Sequence, residues 1–183
     1  MKSICGRLLL NLAAVVAFAF VLVVPTTAMA DVIALKIPGI LGDLKVAGFE
    51  NQIEVMSLSN NILNPVKAGS TGAGGAVGKP VFSDMIIHKR FDTASPALFL
   101  ALVTGKHFPN AVLTFIQNST GSLLVVFEIT LSDIVVSKFE TDATEKSVLA
   151  GQEQIDLNFT KIQLKDDVTG QQACFNLLTN DTC

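Results

Sequence analysis

Along most of the chain, apolar residues alternate with polar ones or run in blocks of four to eight between turn formers, without the three-to-four spacing of an amphipathic helix. That pattern predicts strands. They are expected at residues 31–37, 52–58, 81–89, 111–117, 122–130, 133–139 and 152–164. Asn118-Ser119-Thr120-Gly121 supplies residues that accept positive φ, so the strands on either side read as a hairpin. In the last segment Ile155, Leu157 and Phe159 share one parity while Ile162 and Leu164 share the other. One extra residue near Thr160, a β-bulge, would reconcile them.

Two stretches break this pattern. Residues 95–105, SPALFLALVTG, read as a helix: the Ser95 hydroxyl can accept from first-turn amides, Pro96 sits where no donor is needed, and Gly105 supplies a left-handed stop. Between these caps only Thr104 is polar, so the helix has no face suited to water and must be covered on two sides. One cover is the sheet of its own subunit. In so short a chain the expected second cover is another copy, which predicts an oligomer. Residues 67–80, KAGSTGAGGAVGKP, carry five glycines and predict a mobile loop. Gly78-Lys79 is followed by Pro80 and a strand pattern, where a phosphate cradle needs Ser or Thr opening a helix.

The N-terminal segment is of another kind. Lys2 and Arg7 precede a run, Leu8 to Val24, that is apolar except for Asn11, and Pro25 and Ala28-Met29-Ala30 follow. This is the pattern of a secretory signal. It divides the chain into residues 1–30, a signal cleaved after Ala30, and residues 31–183, a single domain with no membrane segment once the signal is gone. The alternative is an uncleaved anchor, because the run approaches the roughly 20 residues that span a bilayer. Removing thirty of 183 residues leaves 153, enough for one core. Those 153 residues hold 11 Lys and Arg against 16 Asp and Glu, a net charge of −5 that disfavours nucleic acid as a partner. Of three cysteines only Cys174 and Cys183 remain, and an oxidising compartment would allow them to pair. Free or intermolecular thiols are the alternative.

Catalytic chemistry is sparse. The chain has two histidines, no tyrosine and no tryptophan. His88 and His107 lie on either side of the helix, without metal-ligand spacing. Ser83, Asp84 and His88 hold the residue types of a hydrolase triad, but along one strand their side chains point in conflicting directions, and no G-x-S-x-G elbow occurs. Asp166-Asp167 reads as a solvated turn rather than a calcium loop. Three Asn-x-Thr or Asn-x-Ser triplets, at Asn118, Asn158 and Asn180, read as turn and strand residues. The expectation is a non-enzyme with no cofactor and no metal.

Several segments, in order, resemble the Hcp family, the haemolysin-coregulated tube protein of bacterial type VI secretion systems. They are LKIPGILGD (35–43), IEVMSLS (53–59), GKP (78–80), HKRFDTASPALFLALVTGKHFPNAVLTF (88–115), LSDIVVSKF, IDLNFTKIQL and CFNLLTN. The matching positions in the longest piece are Asp92, Ser95, Pro96, Leu98, Gly105 and Lys106. The resemblance implies a mainly β fold, a barrel of two antiparallel sheets flanked by one short helix. It also implies closed rings of about six copies that stack into a hollow tube carrying effector proteins, with other type VI components as further partners. The crossing at 38–51, with Gly39, Gly42 and Gly48, resembles the family's protruding loop. On this resemblance the candidate subunit interface comprises Gly39, Ile40, Gly42, Phe49, Ala97 and Leu100. Ordinary members lack a Sec-type signal, usually carry histidine where Phe49 stands, and often place polar residues at Ala97 and Leu100. The expected function is an exported structural protein, secreted or periplasmic. The alternative is a binding module that keeps the barrel without the secretion apparatus.

Overall fold

The computed structural model describes residues 30–67, 76–119, 122–143 and 151–183. The signal expected before Asp31, most of the glycine-rich stretch and the Thr120-Gly121 turn lie outside them. The elements in chain order are β1 (Val32–Lys36), β2 (Ile53–Val55), β3 (Ser57–Ser59), β4 (Ile62–Leu63), β5 (Val66–Lys67), β6 (Ala76–Val77), β7 (Val81–Phe82), β8 (Met85–Arg90), α1 (Ser95–Thr104), β9 (His107–Ser119), β10 (Ser122–Asp142), β11 (Gln152–Asn158), β12 (Lys161–Asp166), β13 (Gln172–Asn176) and β14 (Asp181–Thr182).

All pairings are antiparallel, and they close on themselves. β9 pairs with β1 (Leu113↔Leu35), β1 with β2 (Leu35↔Ile53), β3 with β8 (Leu58↔Ile87), β8 with β11 (Ile87↔Ile155), β11 with the second half of β10 (Ile155↔Phe139), and the first half of β10 with β9 (Ile129↔Leu113). Only Met56 separates β2 from β3, so this one stretch hands the ladder from β1 to β8 and the circuit is a barrel. A second layer, β12, β13 and β14, continues from the other edge of β10. Inward positions fill the core with Leu35, Ile53, Ile87, Leu113, Leu131, Ile155 and Leu157, all essentially inaccessible.

The two strands expected at 122–130 and 133–139 are one, β10, bent at Asp133, which takes φ +49°. Before the bend β10 pairs with β12, and after it with β11. The single strand expected at 152–164 divides correspondingly at Phe159-Thr160, where the Thr160 N–H donates to the Ser132 carbonyl at 3.1 Å. The parity change near Thr160 is therefore a corner between two strands, and Phe159 and Ile162 both reach the core. Within residues 67–80 a predicted loop meets structure as well, since Val66 and Lys67 pair with Val77 and Ala76.

The crossing at 38–51 does not project. Pro38 and Gly39 occupy the centre of a turn closed by Ile40 N–H to Ile37 O at 3.1 Å, and the φ of +80° at Gly39 is one that a side chain resists. Ile40, expected at a subunit interface, is 6% exposed in the chain's own core, while its neighbour Leu41 is 65% exposed. Gly42 donates to Asn51 O at 2.8 Å, and a Cβ there would lie 2.5 Å from the Gln52 carbonyl oxygen. Leu44 and Val46 then bury against Ala34 and Ile116, with Phe49 packed beside them. These contacts commit Ile40, Leu44, Val46 and Phe49 of the crossing to its own barrel. Asp43 clips it to the start of the helix, accepting from the Thr93 hydroxyl and from the Thr93 N–H at 3.2 Å.

α1 stands on a buried ionic cluster. Lys89 and Glu153 face inward on paired strands, one step beyond Ile87 and Ile155, and their charged groups meet at 2.6 Å. The Lys89 ammonium also donates to Arg90 O at 2.7 Å and Ser95 Oγ at 3.1 Å and lies 2.7 Å from Asp92 Oδ1. Ser95 was expected to cap the helix with its hydroxyl. Instead Ala94 is the cap residue without a side-chain bond, Asp92 Oδ1 takes the Ala94 N–H at 2.9 Å, and Ser95 Oγ donates to Glu153 at 2.7 Å. A buried charge left unpaired costs more than a missing cap, so the hydroxyl turns toward the cluster. At the other end Gly105 takes φ +61° and closes the helix as expected.

Two predictions follow from these tethers. Glu153→Ala leaves the buried Lys89 with Asp92 as its remaining carboxylate partner and lowers unfolding stability by about 3 kcal/mol in urea titrations of the mature chain, much of it restored by adding Lys89→Met. A loss under about 1 kcal/mol would mean that the cluster does not hold the helix. The Thr93 hydroxyl and amide hold the Asp43 carboxyl below its ordinary value. A depressed carboxyl stabilises above its unfolded-state value and loses that contribution as pH falls through its folded-state value. Stability should therefore drop on the acid side, and Asp43→Asn should flatten part of that slope when urea midpoints are compared from roughly pH 7 to pH 3. Equal slopes would contradict the clip.

Candidate assembly surface

One face of α1 is committed to the barrel: Leu98 and Ala101 are buried, and the helix packs on β10. The opposite face carries Pro96, Phe99, Leu100 and Val103, spaced i, i+3, i+4 and i+7, which is one continuous stripe. Leu100 is 59% and Val103 58% exposed. The Phe99 ring meets Phe139 of β10 edge-on, centroids 6.0 Å apart, and keeps half its surface in solvent. Ala97 lies exposed beside the stripe and Phe91 is exposed just before the helix. A contiguous apolar stripe on an outer face is a feature of association surfaces.

The second feature is a ribbon that leaves the barrel after Asn60 and returns at Ser83. Ile62 pairs with Phe82 and Leu63 with Val81, and β5 and β6 extend the ribbon outward. Asn60 Nδ2 donates to Ser83 O at 2.8 Å and Ser83 Oγ accepts the Asn61 N–H at 2.9 Å, so the two legs are tied where they meet the barrel. Beyond that tie Ile62, Leu63, Val66 and Val81 are all exposed, Val66 to 65%. This ribbon forms an arm that is exposed and apolar, whereas the crossing at 38–51 packs on the barrel.

Of the candidate interface residues, Ala97 and Leu100 therefore lie on the outer surface, whereas Gly39, Ile40, Gly42 and Phe49 build the crossing that packs on the barrel. Phe99, Val103 and the arm residues, exposed and apolar, were not among those candidates. The i, i+4, i+7 spacing from Pro96 carried the first two, and the apolar pairs flanking the glycine-rich stretch carried the arm.

The polar candidates lie elsewhere and serve the barrel. The Asp84 carboxylate accepts from Ser137 Oγ at 2.5 Å and from Asn158 Nδ2 at 2.8 Å, and Ser83 donates to the Asp84 carbonyl at 3.1 Å. Ser137 stands where the β10 ladder shifts register, so Asp84 secures a bulge. His107 lies 3.2 Å from Asp133, both exposed. Asp166 Oδ1 closes its turn by accepting the Val168 and Thr169 N–H groups at 2.8 and 2.9 Å, which holds its carboxyl below the ordinary value, Thr169 contributing most. Among the described residues no group of three or more His, Cys, Asp or Glu could hold a metal ion, and no helix is long and apolar enough to cross a membrane. Cys174 and Cys183 are joined, their Cα atoms 5.3 Å apart.

The barrel, its helix and its second layer recur in solved structures. Hcp1 from Salmonella typhimurium is 28% identical over 85% of this chain and all of its own, with a TM-score of 0.69. A type six secretion system protein superposes with a TM-score of 0.76 at 21% identity, over 84% of this chain and all of its own. Hcp1 from the E. coli EAEC 042 pathovar, in a doubly substituted form, gives 0.69 at 21% identity over 82% of this chain and 99% of its own. No curated protein matches the chain. A family model described as "Type VI secretion system effector, Hcp" matches residues 35–165, well over half of the sequence. With the closed barrel and the single flanking helix in place, that match settles the family: the chain belongs to the Hcp proteins of type VI secretion systems.

Proposed function

We propose that the mature chain is an exported Hcp-like structural protein that closes into hexameric rings, able to stack into a hollow tube that carries a passenger protein. The observation that carries this reading is the continuous, exposed apolar stripe of α1, a feature of association surfaces. A neighbouring barrel of the same sequence covers it without demanding a second gene product, and head-to-tail repetition of one contact closes a ring. The exposed arm supplies a second contact, between neighbouring subunits or between rings. The signal pattern in residues 1–30 supports export, with Asp31 as the first mature residue. The role is structural, with no catalytic step.

Light scattering on the mature chain, residues 31–183, should give a particle of about six subunits. Leu100→Glu places a charge on the stripe without touching the core, so it should yield a folded monomer with unchanged far-ultraviolet circular dichroism. A wild-type chain that stays monomeric at high micromolar concentration would contradict the ring and favour the binding module.

A further inference from the structure

The base of the arm rests on the C-terminal hairpin. Phe82, the last residue of β7, stacks on Phe175 of β13, with centroids 5.4 Å apart and planes at 20°, and meets the edge of Phe159 at 6.4 Å. Lys79, Pro80, Leu177 and Asn180 complete the groove between the arm and the hairpin. Phe175 pairs with Ile162 of β12 on one side, and on the other it is flanked by β14, whose entire ladder is Phe175↔Thr182 and Asn176↔Asp181. A two-residue, exposed edge strand has too few contacts to stay docked unaided. Cys174 and Cys183 bracket that ladder and are bonded to each other, with the Cys183 N–H directed at the Cys174 carbonyl at 3.4 Å.

We propose that the Cys174–Cys183 bond is a redox lock on the arm, an inference that rests on the arm's role in assembly. Two thiols give up two electrons and two protons to the disulfide of a thiol oxidoreductase, which leaves as a dithiol. The mixed disulfide forms at Cys183, the more exposed cysteine. Once closed, the loop keeps β14 against β13, fixes Phe175 and through it Phe82, and sets the arm's exit from the barrel. In a reducing compartment β14 frays, the Phe82–Phe175 stack loosens, and the arm is not presented. Assembly through the arm is thereby confined to the oxidising side of the membrane.

Amide hydrogen exchange on the mature chain tests this directly. Reduction, or Cys183→Ser, should speed exchange at Leu63, Val81 and Ser83 by roughly tenfold, while β8 and β11 exchange as before. Cys174→Ser should act likewise, and Phe175→Ala should speed exchange at the same amides even when oxidised. Exchange at the arm base indifferent to redox state would overturn the lock, whatever the particle size. Light scattering on the same samples separates the two readings. Redox-dependent exchange in a chain that is monomeric in both states would keep the lock and remove the ring.

Discussion

The structure depends on one strand serving two sheets. β10 pairs with β9 along its first half and, after bending at Asp133, with β11 along its second, while its other edge carries β12 up to Ser132. Pro109, opposite the bend, has no N–H to offer, and the free Ser132 carbonyl is taken by the Thr160 N–H at 3.1 Å and by its hydroxyl at 3.3 Å. The corner thus satisfies its own backbone groups while the ladder changes partner. Without it the barrel would not close and the second layer would have no edge to extend.

Closure of the barrel creates the problem that the helix answers. Lys89 and Glu153 point inward at one end of the circuit and are buried. Ser95 and Asp92, at the start of α1, complete their hydrogen bonding and so fix where the helix begins. Its direction then follows from Leu98 and Ala101 burying against the barrel, and the stripe from Pro96 to Val103 is left facing outward. The contacts that seat the helix thus also determine which of its residues face outward.

Much of this was legible in the sequence. The β class, the helix opened by Ser95-Pro96 and stopped by Gly105, and the parity change near Thr160 follow from periodicity and turn chemistry, and the resemblance to Hcp proteins gave the barrel. The partner switch of β10 was not legible, because Leu131 and Ser132 continue an alternation that any bent or straight strand shares. The inward charges were readable in principle, since Lys89 shares parity with Met85 and Ile87, and Glu153 with Ile155 and Leu157. A charged residue at such a position reads as solvated until its partner's register is known. The crossing was misplaced because glycines permit projection and close packing equally, and only the 2.5 Å approach of a Cβ at Gly42 to the Gln52 carbonyl distinguishes them.

The central claim is that the outer face of α1 is covered by an identical neighbour. Hydroxyl-radical footprinting compares the native particle with the same protein diluted below its association range. The account predicts that Phe99, Leu100 and Val103 are labelled several-fold more slowly in the particle than in the dilute sample. Equal labelling of the three helix residues in the two samples would contradict it.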